Sequence, residues 1–490
     1  MTGAELALTV VMTIANIYFL IISTRLYVIC FFARRYERKL REYRPNKDLL
    51  AKRPFVSIMI PTYNEENVID RVLRACVSLD YDNYEVVVVD DSTDGTVRIL
   101  ERWARHPRVK VIHREDRRGW KGGALDEGLK HLDPRSEFVL VFDADFIPPK
   151  DVIQRLLVRF VDEKIVAVQG YHMAKLNSDE NAVTRASRTH MSVGFAVDYA
   201  GRFAMGGAPP LCGSVMMIRK RALEELGGFG SSITEDYDLS LRLYSRGYKV
   251  FYDKSTKALC ECPSSLGQIL RQTCRWIEGR VRDLRRRLAL VLRSKELPLR
   301  RKLDIILDGL YSLSPFMFLL WLVAATAFVV LKSPPNITVL VLILKFLLPS
   351  SLALFIPMPV AAVQIPILGL RSPWVAIPYT IYVTACFPIA QFMALKEEGE
   401  DGTLRWILSF LFVMWLACPF YMKACFKGLL TNRSYFCRTY KTGRITVLLE
   451  KLPSVEPLRE PSFEPLAGGD LFTCFSLGNF TNFLTWNWAF

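Results

Sequence analysis

Two aspartates separated by one residue, Asp143 and Asp145, form a pair that could hold a metal ion. They follow an apolar run at 139–142 that predicts a buried strand, and prolines at 148–149 prevent the strand from continuing. Because side chains alternate across a strand, carboxylates two residues apart point to the same side. Such a pair can bind a hard divalent cation whose remaining positions accept phosphate oxygens. Taken alone, the pair is more often an ordinary acidic loop, so its meaning depends on the neighbouring motifs.

Polar residues also follow two earlier predicted strands. Tyr63 and Glu65 come after the first strand, and Asp90 and Asp91 close the second. These strands alternate with amphipathic helical segments, which predicts a parallel sheet with right-handed crossovers. Ligands of such sheets bind at the carboxyl ends of the strands. The pattern therefore predicts that the polar side chains meet in one crevice.

A glycine-rich segment at 119–125 opens the next predicted helix and contains Lys121. Glycines before a helix N-terminus let backbone N–H groups approach an anion, and the lysine adds a positive charge. A solvated basic turn is the ordinary alternative, but the acidic sites that surround this segment favour a diphosphate ligand.

Two further motifs could bind and activate a second substrate. Cys212 and Gly213 lie in a tight turn before a strand, where the glycine would allow a sugar ring to approach closely. Thr234 is the predicted N-cap of a helix that begins with Glu235 and Asp236. Capping alone explains an isolated acidic pair of this kind, whereas beside a cleft a carboxylate at a helix start is well placed as a general base.

A basic amphipathic helix is predicted over residues 268–293. It carries Gln272, Arg275 and Trp276 at positions i, i+3 and i+4, hence on one face. Helices of this composition usually lie on a membrane surface. On a face turned toward the crevice, the tryptophan could stack on a sugar ring and the arginine could neutralise a leaving diphosphate.

The composition predicts a membrane protein. Of 490 residues, 51% are hydrophobic, and the mean hydropathy of +0.18 is more apolar than that of an ordinary soluble enzyme. The apolar residues concentrate in blocks long enough to span a bilayer. The candidate spans are 5–31, 306–331, 337–361, 374–395 and 404–427.

Charges beside these spans predict an orientation. The basic flank at 34–44 predicts that the first span exits into the cytoplasm, which leaves the N-terminus outside. Counted from there, the acidic connection at 396–401 lies outside and residues 428–490 return to the cytoplasm. The net charge of +15 is explained by basic residues on the cytoplasmic side of the spans, where they also attract anionic lipids. This explanation is preferred to nucleic-acid binding. Eleven cysteines without CxxC spacing are typical of reduced thiols, not of disulfides or zinc.

Four motifs occur in a family's order: DD at 90–91, DAD at 143–145, TED at 234–236 and QxxRW at 272–276. Together they resemble the processive, inverting glycosyltransferases that include cellulose, hyaluronan and plant glucomannan synthases. The resemblance implies an α/β catalytic domain of the GT-A type, Rossmann-like with a mostly parallel sheet, inserted between transmembrane α-helices. It implies a multi-pass protein of the cell membrane, with the catalytic domain in the cytoplasm.

The resemblance also divides the chain into segments. They are an N-terminal transmembrane helix (1–33), a catalytic domain (50–264), amphipathic interface helices (265–300), a transmembrane channel of about four spans (306–427), a gating loop (428–445) and a C-terminal tail (446–490). We have no functional prediction for the tail.

Two details bear on the product and on processivity. The segment RxGxKxGAL at 117–125 is nearer to the mannan and glucomannan branch, whereas LCGS at 211–214 is similar to the acceptor motif of cellulose synthases. FCRTYK at 436–441 resembles the gating loop FxVTxK, with Arg438 in place of valine. The replacement leaves Thr439 and Lys441 where the resemblance places them over the nucleotide diphosphate.

The resemblance implies a role for each motif residue. Nucleotide-sugar binding falls to Tyr63, Glu65, Asp90, Asp91, Lys121, Asp143, Thr439 and Lys441, and acceptor binding to Cys212, Gly213, Gln272, Arg275 and Trp276. The catalytic residues would be Asp236, as general base, with Glu235 and Asp145. Asp143 and Asp145 would hold Mg²⁺ or Mn²⁺.

The sequence leaves several alternatives open. The donor is UDP-glucose or GDP-mannose, and the partners are that donor, a growing polysaccharide and membrane lipids. A non-processive enzyme that transfers one sugar to a polyprenyl phosphate would need the same acids, but neither the QxxRW motif nor the loop at 436–441. An inactive scaffold subunit of a polysaccharide complex would not need to keep the full acidic set.

Overall fold

The computed structural model describes residues 2–332, 373–400, 403–432, 435–436 and 438–446. The predicted span at 337–361 and the predicted tail beyond residue 446 lie outside the described residues. Within the described part, an α/β domain is flanked by long apolar helices.

A seven-stranded sheet with the order β3-β2-β1-β4-β6-β5-β7 forms the centre of the α/β domain. The strands are β1 (Phe55–Thr62), β2 (Tyr84–Asp90), β3 (Val109–His113), β4 (Ser136–Val141), β5 (Ile165–Ala174), β6 (Met216–Arg219) and β7 (Lys249–Cys260). β6 pairs antiparallel with β4 and β5, and the other neighbours are parallel. The prediction of a mostly parallel α/β sheet is confirmed.

The central strands are apolar at almost every position because helices cover both faces of the sheet. In β2 the run from Val86 to Val89 is fully buried, and in β4 so is the run from Val139 to Val141. Thr62 at the end of β1 lies opposite Asp90 at the end of β2. The polar residues that follow these strands therefore share one edge of the sheet.

Helices surround the sheet and extend away from it. They are α1 (Gly3–Ala33), α2 (Tyr36–Leu40), α3 (Lys47–Ala51), α4 (Ile69–Val77), α5 (Thr96–Trp103), α6 (Trp120–Leu129), α7 (Val152–Leu157), α8 (Ala182–Ser192), α9 (Ala200–Ala204), α10 (Lys220–Leu226), α11 (Glu235–Ser245), α12 (Leu266–Arg293), α13 (Leu299–Tyr311), α14 (Ser314–Lys332), α15 (Pro373–Glu397) and α16 (Thr403–Leu430). A π-helix, Val193–Tyr199, joins α8 to α9.

Three helices in the described part are long and apolar enough to cross a membrane, namely α1, the segment Ile377–Glu397 of α15, and α16. Helices α13 and α14 give a fourth candidate if the pair, bent by 56°, is counted as one span.

Helix α16 runs along the α/β domain. Near its start, Arg185 Nε donates to Ser409 Oγ at 3.2 Å, and just beyond its end the Thr431 carbonyl accepts from Arg282 Nε at 3.1 Å. Between these points its apolar side chains pack on residues of α8 and α12. Both ends of α16 therefore contact the side of the molecule that carries the sheet.

The connection between α15 and α16 was predicted to lie on the opposite side of the membrane from the catalytic domain, and this prediction is wrong. Glu398 forms an ion pair with Arg188 of α8, and it accepts hydrogen bonds from the Tyr171 hydroxyl and from Ser192 Oγ. Glu400 lies 3.3 Å from the same guanidinium. Arg188 is fully buried, and a buried cation requires carboxylate partners, which this connection supplies.

Candidate active site

The predicted site residues converge on one cleft at the carboxyl edge of the sheet. The cleft holds about 1210 Å³ of empty space, counted to its open mouth. The predicted residues that line it are Tyr63, Glu65, Asp91, Lys121, Asp143, Asp145, Cys212, Glu235, Asp236, Gln272, Arg275, Trp276, Thr439 and Lys441. Asp90 and Gly213 are not among the lining residues, but Asp90 is buried beside Asp91 in the chain and the Gly213 carbonyl accepts from Lys121.

The two aspartates that follow β2 have different surroundings. Asp90 is buried, and its carboxylate is 2.9 Å from His113 Nδ1 and accepts from the Ser92 N–H. Asp91 faces the cleft and accepts two hydrogen bonds from Arg114, at 2.7 and 2.6 Å. Burial raises the pKa of Asp91, and the Arg114 guanidinium opposes that shift.

Lys121 connects three of the predicted motifs. It lies in the first turn of α6, two residues after Gly119, whose φ of +74° lets the chain turn into the helix. Its ammonium donates to Asp143 at 2.6 Å and to the Gly213 carbonyl at 2.7 Å, and it lies 3.3 Å from Glu235. Burial lowers the pKa of Lys121, but the two carboxylates outweigh that effect and raise it, so the lysine is charged.

The acids of the TED motif open α11 beneath this lysine. Burial raises the pKa of Glu235 to about 7 and also raises the pKa of Asp236. Asp236 Oδ1 accepts from the Tyr237 N–H at 2.7 Å, which fixes the carboxylate at the helix start. A partly buried carboxylate with a raised pKa suits a general base.

The predicted N-cap Thr234 precedes α11, but its hydroxyl makes no capping hydrogen bond. It donates instead to Asp283 Oδ2 of α12 at 2.7 Å, and Ser232 Oγ donates to the same oxygen at 2.7 Å. Asp283 therefore ties the TED segment to the helix that carries Gln272, Arg275 and Trp276. No pattern in the sequence predicts this contact, because the acid lies among the charges of a basic helix.

The two aspartates of the DAD motif each contact a lysine. Asp143 bonds to Lys121, and Asp145 Oδ2 accepts from Lys441 Nζ at 2.7 Å. In the part of the chain that the structure describes, no group of three or more metal-binding side chains occurs. Mg²⁺ and Mn²⁺ sites in phosphate-binding proteins need only one or two carboxylates, because substrate phosphates complete the coordination. Two hard oxygen donors that line one cleft fit such an ion.

Residues 438–446, which we call the strap, contribute Arg438, Thr439 and Lys441 to the lining of the cleft. Arg438 donates to both oxygens of Glu65, from Nε and Nη2, each at 2.9 Å. Beside the Lys441–Asp145 contact, Glu261 Oε2 accepts from the backbone N–H groups of Thr442 and Gly443, at 3.1 and 3.3 Å. Burial raises the pKa of Glu65 to about 7 although Arg438 opposes it. The arginine that replaces the family's valine thus anchors the strap.

The QxxRW residues approach the cleft from α12. Arg275 Nη1 donates to the Ile233 carbonyl at 3.4 Å, and its guanidinium lies over the Phe436 ring, 4.3 Å from the centroid. Trp276 lies almost parallel to His190, with ring centroids 6.3 Å apart. An indole at the wall of a polar cleft offers an apolar face to a sugar ring.

Sequence reasoning missed several residues that line the cleft. Arg117 places its guanidinium 3.3 Å from the centroid of the Tyr63 ring. His172 Nε2 lies 3.2 Å from Cys212 Sγ, and burial lowers the pKa of His172 to about 4, so the imidazole is neutral. Glu261 follows β7, and the strand-end rule used for the other acids would have found it.

Comparisons with known proteins agree with this geometry. Residues 53–279 match the family described as Glycosyltransferase like family 2. Glucomannan 4-beta-mannosyltransferase 1 of Oryza sativa subsp. japonica is 32% identical over 264 residues, which cover 52% of this chain and 50% of the relative. Glucomannan 4-beta-mannosyltransferase 9 of Arabidopsis thaliana is 30% identical over 318 residues, with coverages of 61% and 58%. The chain spans about half the length of the curated relatives it matches.

A solved structure shows the same fold. A mannosyltransferase of Pyrobaculum calidifontis, in complex with GDP-Man and Mn²⁺, superposes with a TM-score of 0.51 at 21% identity, covering 79% of this chain and 99% of that chain. Residues 53–279 therefore match a glycosyltransferase family 2 domain, and the solved structure agrees with the predicted GT-A fold.

Proposed function

We propose that this chain is a membrane-embedded, processive β-glycosyltransferase that polymerises mannose from GDP-mannose with inversion at the anomeric carbon. The observation that carries the proposal is the single cleft lined by Asp236, Lys121 and Trp276. A base, a cation for the leaving group and a stacking surface for the acceptor are thereby within reach of one substrate. The similarity to glucomannan 4-beta-mannosyltransferases supports mannose as the transferred sugar.

Asp236 serves as the general base. The acceptor hydroxyl oxygen attacks the anomeric carbon from the side opposite the diphosphate, and its proton passes to the Asp236 carboxylate. The bond from the anomeric carbon to the diphosphate oxygen breaks, and GDP leaves with the electron pair. An α-linked donor therefore gives a β-linked product. The raised pKa of Asp236 makes it a stronger base than a solvated carboxylate.

Cationic side chains stabilise the departing GDP. Lys121, Lys441 and Arg275 line the cleft and place positive charge where the negative charge on the diphosphate develops. Asp143 and Asp145 would hold Mg²⁺ or Mn²⁺, which would neutralise part of the same charge when bound. Tyr63, Glu65 and Asp91 follow β1 and β2 and line the same cleft, and we assign the nucleoside to them.

The membrane role is part of the same proposal. We place the catalytic domain in the cytoplasm and the apolar helices in the cell membrane, where they translocate the polymer. Trp276 also borders a second cavity, whose lining includes Arg25 of α1 and Asp308 of α13. The growing chain would leave in that direction.

The test is the purified full-length protein in lipid nanodiscs, supplied with GDP-mannose, GDP-glucose or UDP-glucose, and with Mg²⁺, Mn²⁺ or a chelator. We expect GDP release from GDP-mannose and a polymer that an endo-β-mannanase degrades. Transfer from UDP-glucose alone would refute the donor assignment. Products limited to single-sugar lipids would refute processivity, and no nucleotide release from any donor would indicate a scaffold subunit.

A further inference from the structure

A second cavity continues from the cleft toward the apolar helices. It comprises about 1250 Å³ of space, part of which is open to solvent. Its walls come from the π-helix, from Arg25 on α1 and from Asp308 on α13. Six residues line both this cavity and the cleft, namely His172, Met191, Cys212, Thr234, Asp236 and Trp276. A molecule whose reacting end lies at Asp236 therefore has room for its remainder in the second cavity.

One wall of this cavity is a row of nearly parallel aromatic rings that starts at Trp276. Successive ring pairs are separated by 6.3, 6.2, 6.5 and 6.0 Å, and the angles between their planes are between 13° and 22°. The rings belong, in order, to Trp276, His190, Phe410, Phe387 and Tyr311. All five residues line the cavity, so the row gives it an extended apolar lining against which the C–H groups of sugar rings can pack.

The other wall contains a buried ionic network. Three arginines and three aspartates form it, so its charges balance: Arg25, Arg202, Arg280, Asp198, Asp304 and Asp308. A balanced network has no net positive charge with which to compensate the charge of an anionic ligand. The cavity therefore suits a neutral polymer better than a uronic acid polymer.

Asp198 differs from the other two acids of this network. Asp304 and Asp308 each lie within 3.0 Å of Arg202, and they are almost fully buried. The closest cation to Asp198 is Arg202 at 3.5 Å, followed by Arg25 at 3.7 Å, and its side chain is 23% exposed. Because Asp198 lines the cavity with its oxygens only loosely engaged, it can accept hydrogen bonds from a ligand.

The backbone around Asp198 supports a ligand-binding role. It belongs to the seven-residue π-helix, a rare geometry that occurs often at functional sites. Gly194 of the same π-helix also lines the cavity, and a β-carbon on it would meet no heavy atom within 4 Å. This glycine leaves open space beside Asp198.

We infer that Asp198 is a positioning residue for the acceptor, binding hydroxyl groups of the sugar units behind the terminal one in a neutral β-linked hexose chain. The inference rests on the proposed function for its substrate class. Hydrogen bonds to Asp198 and apolar contacts with the row of aromatic rings would hold the polymer in register while its terminal hydroxyl faces Asp236.

The test measures binding of β-1,4-linked mannohexaose to the full-length protein in nanodiscs by calorimetry, with no donor present. Asp198→Asn should weaken binding about tenfold, the loss expected when a charged acceptor becomes neutral. Gly194→Phe should weaken it at least as much by filling the cavity, whereas Gly194→Ala should bind as wild type. Unchanged GDP affinity would show that each variant is folded.

Wild-type affinity for mannohexaose in both Asp198→Asn and Gly194→Phe would overturn the inference, as would no binding by the wild-type protein. The proposed function is judged separately by sugar transfer. If the wild-type protein transferred no mannose but bound mannohexaose in an Asp198-dependent way, the proposed function would fail and this assignment would stand.

Discussion

Replacement of Asp236 by asparagine tests the catalytic assignment directly. The amide has nearly the same shape as the carboxylate. Its oxygen can still accept the hydrogen bond from the Tyr237 N–H, which is 2.7 Å long with aspartate at this position. What the substitution removes is the capacity to take a proton at the point where the acceptor hydroxyl is activated. The start of α11 should keep its structure.

The size of the effect follows from the role. Loss of a general base lowers kcat by roughly 10²- to 10⁴-fold, or about 2.7 to 5.4 kcal/mol of transition-state stabilisation. Nucleotide binding should change little, because the residues that we assign to the nucleoside, Tyr63, Glu65 and Asp91, follow β1 and β2, whereas Asp236 belongs to α11. GDP should bind as tightly as before or slightly more tightly, since one negative charge near Lys121 is gone.

The assay follows GDP release at saturating GDP-mannose and measures the affinity for GDP by calorimetry. Asp238→Asn is the matched control, because Asp238 lies on the same helix outside the cleft and accepts from Arg242 and Arg287. It should lower the thermal unfolding midpoint and leave kcat within a few-fold. Equal losses of kcat and GDP affinity in Asp236→Asn would refute the assignment of Asp236 as base.

Three further predictions concern the strap, the TED segment and the connection between α15 and α16. Arg438→Val removes two hydrogen bonds to Glu65, so amide exchange of residues 442–443 should accelerate about tenfold in mass-spectrometric hydrogen exchange. Burial raises the pKa of Asp283 to about 6, above its value in the unfolded chain, so the wild-type protein loses stability as pH rises through that value. Asp283→Asn should therefore gain about 1 kcal/mol relative to wild type between pH 5 and pH 8, measured by thermal unfolding. Glu398→Gln leaves Arg188 without its main partner and should destabilise the protein by about 3 kcal/mol, whereas the half-exposed Glu397→Gln should cost less than 1 kcal/mol.

Each of these has a result that contradicts it. The strap anchor would be rejected if Arg438→Val exchanged no faster than Arg444→Ala, since the Arg444 side chain is 73% exposed. If the difference in unfolding free energy between Asp283→Asn and wild type did not change with pH, burial would not raise the pKa of Asp283. Similar stabilities for the Glu398 and Glu397 variants would mean that the connection between α15 and α16 does not pack on α8.

The acidic motifs could be predicted from the sequence because their positions follow from local rules. A buried apolar strand that ends in polar residues is visible in the sequence, and parallel pairing places such ends on one edge. Asp91, Asp145 and Asp236 therefore meet as predicted. The order of the motifs likewise indicated glycosyltransferases, which the family 2 match over residues 53–279 supports, and the alternation of strands and helices indicated the mostly parallel sheet.

Contacts between distant segments could not be predicted in this way. Arg438 and Glu65 are separated by 373 positions, and Lys441 and Asp145 by 296, so no periodicity links them. The acidic connection between α15 and α16 was predicted on the wrong side of the membrane. The rule used for orientation depends on Lys and Arg and does not predict the side on which acidic residues lie. The buried Arg188 requires carboxylate partners, and the connection supplies them. Residue types and their order thus indicated the fold and the candidate chemistry. The pairing of charges, the strap and the second cavity depended on how the helices pack, since desolvated charges select their partners through space.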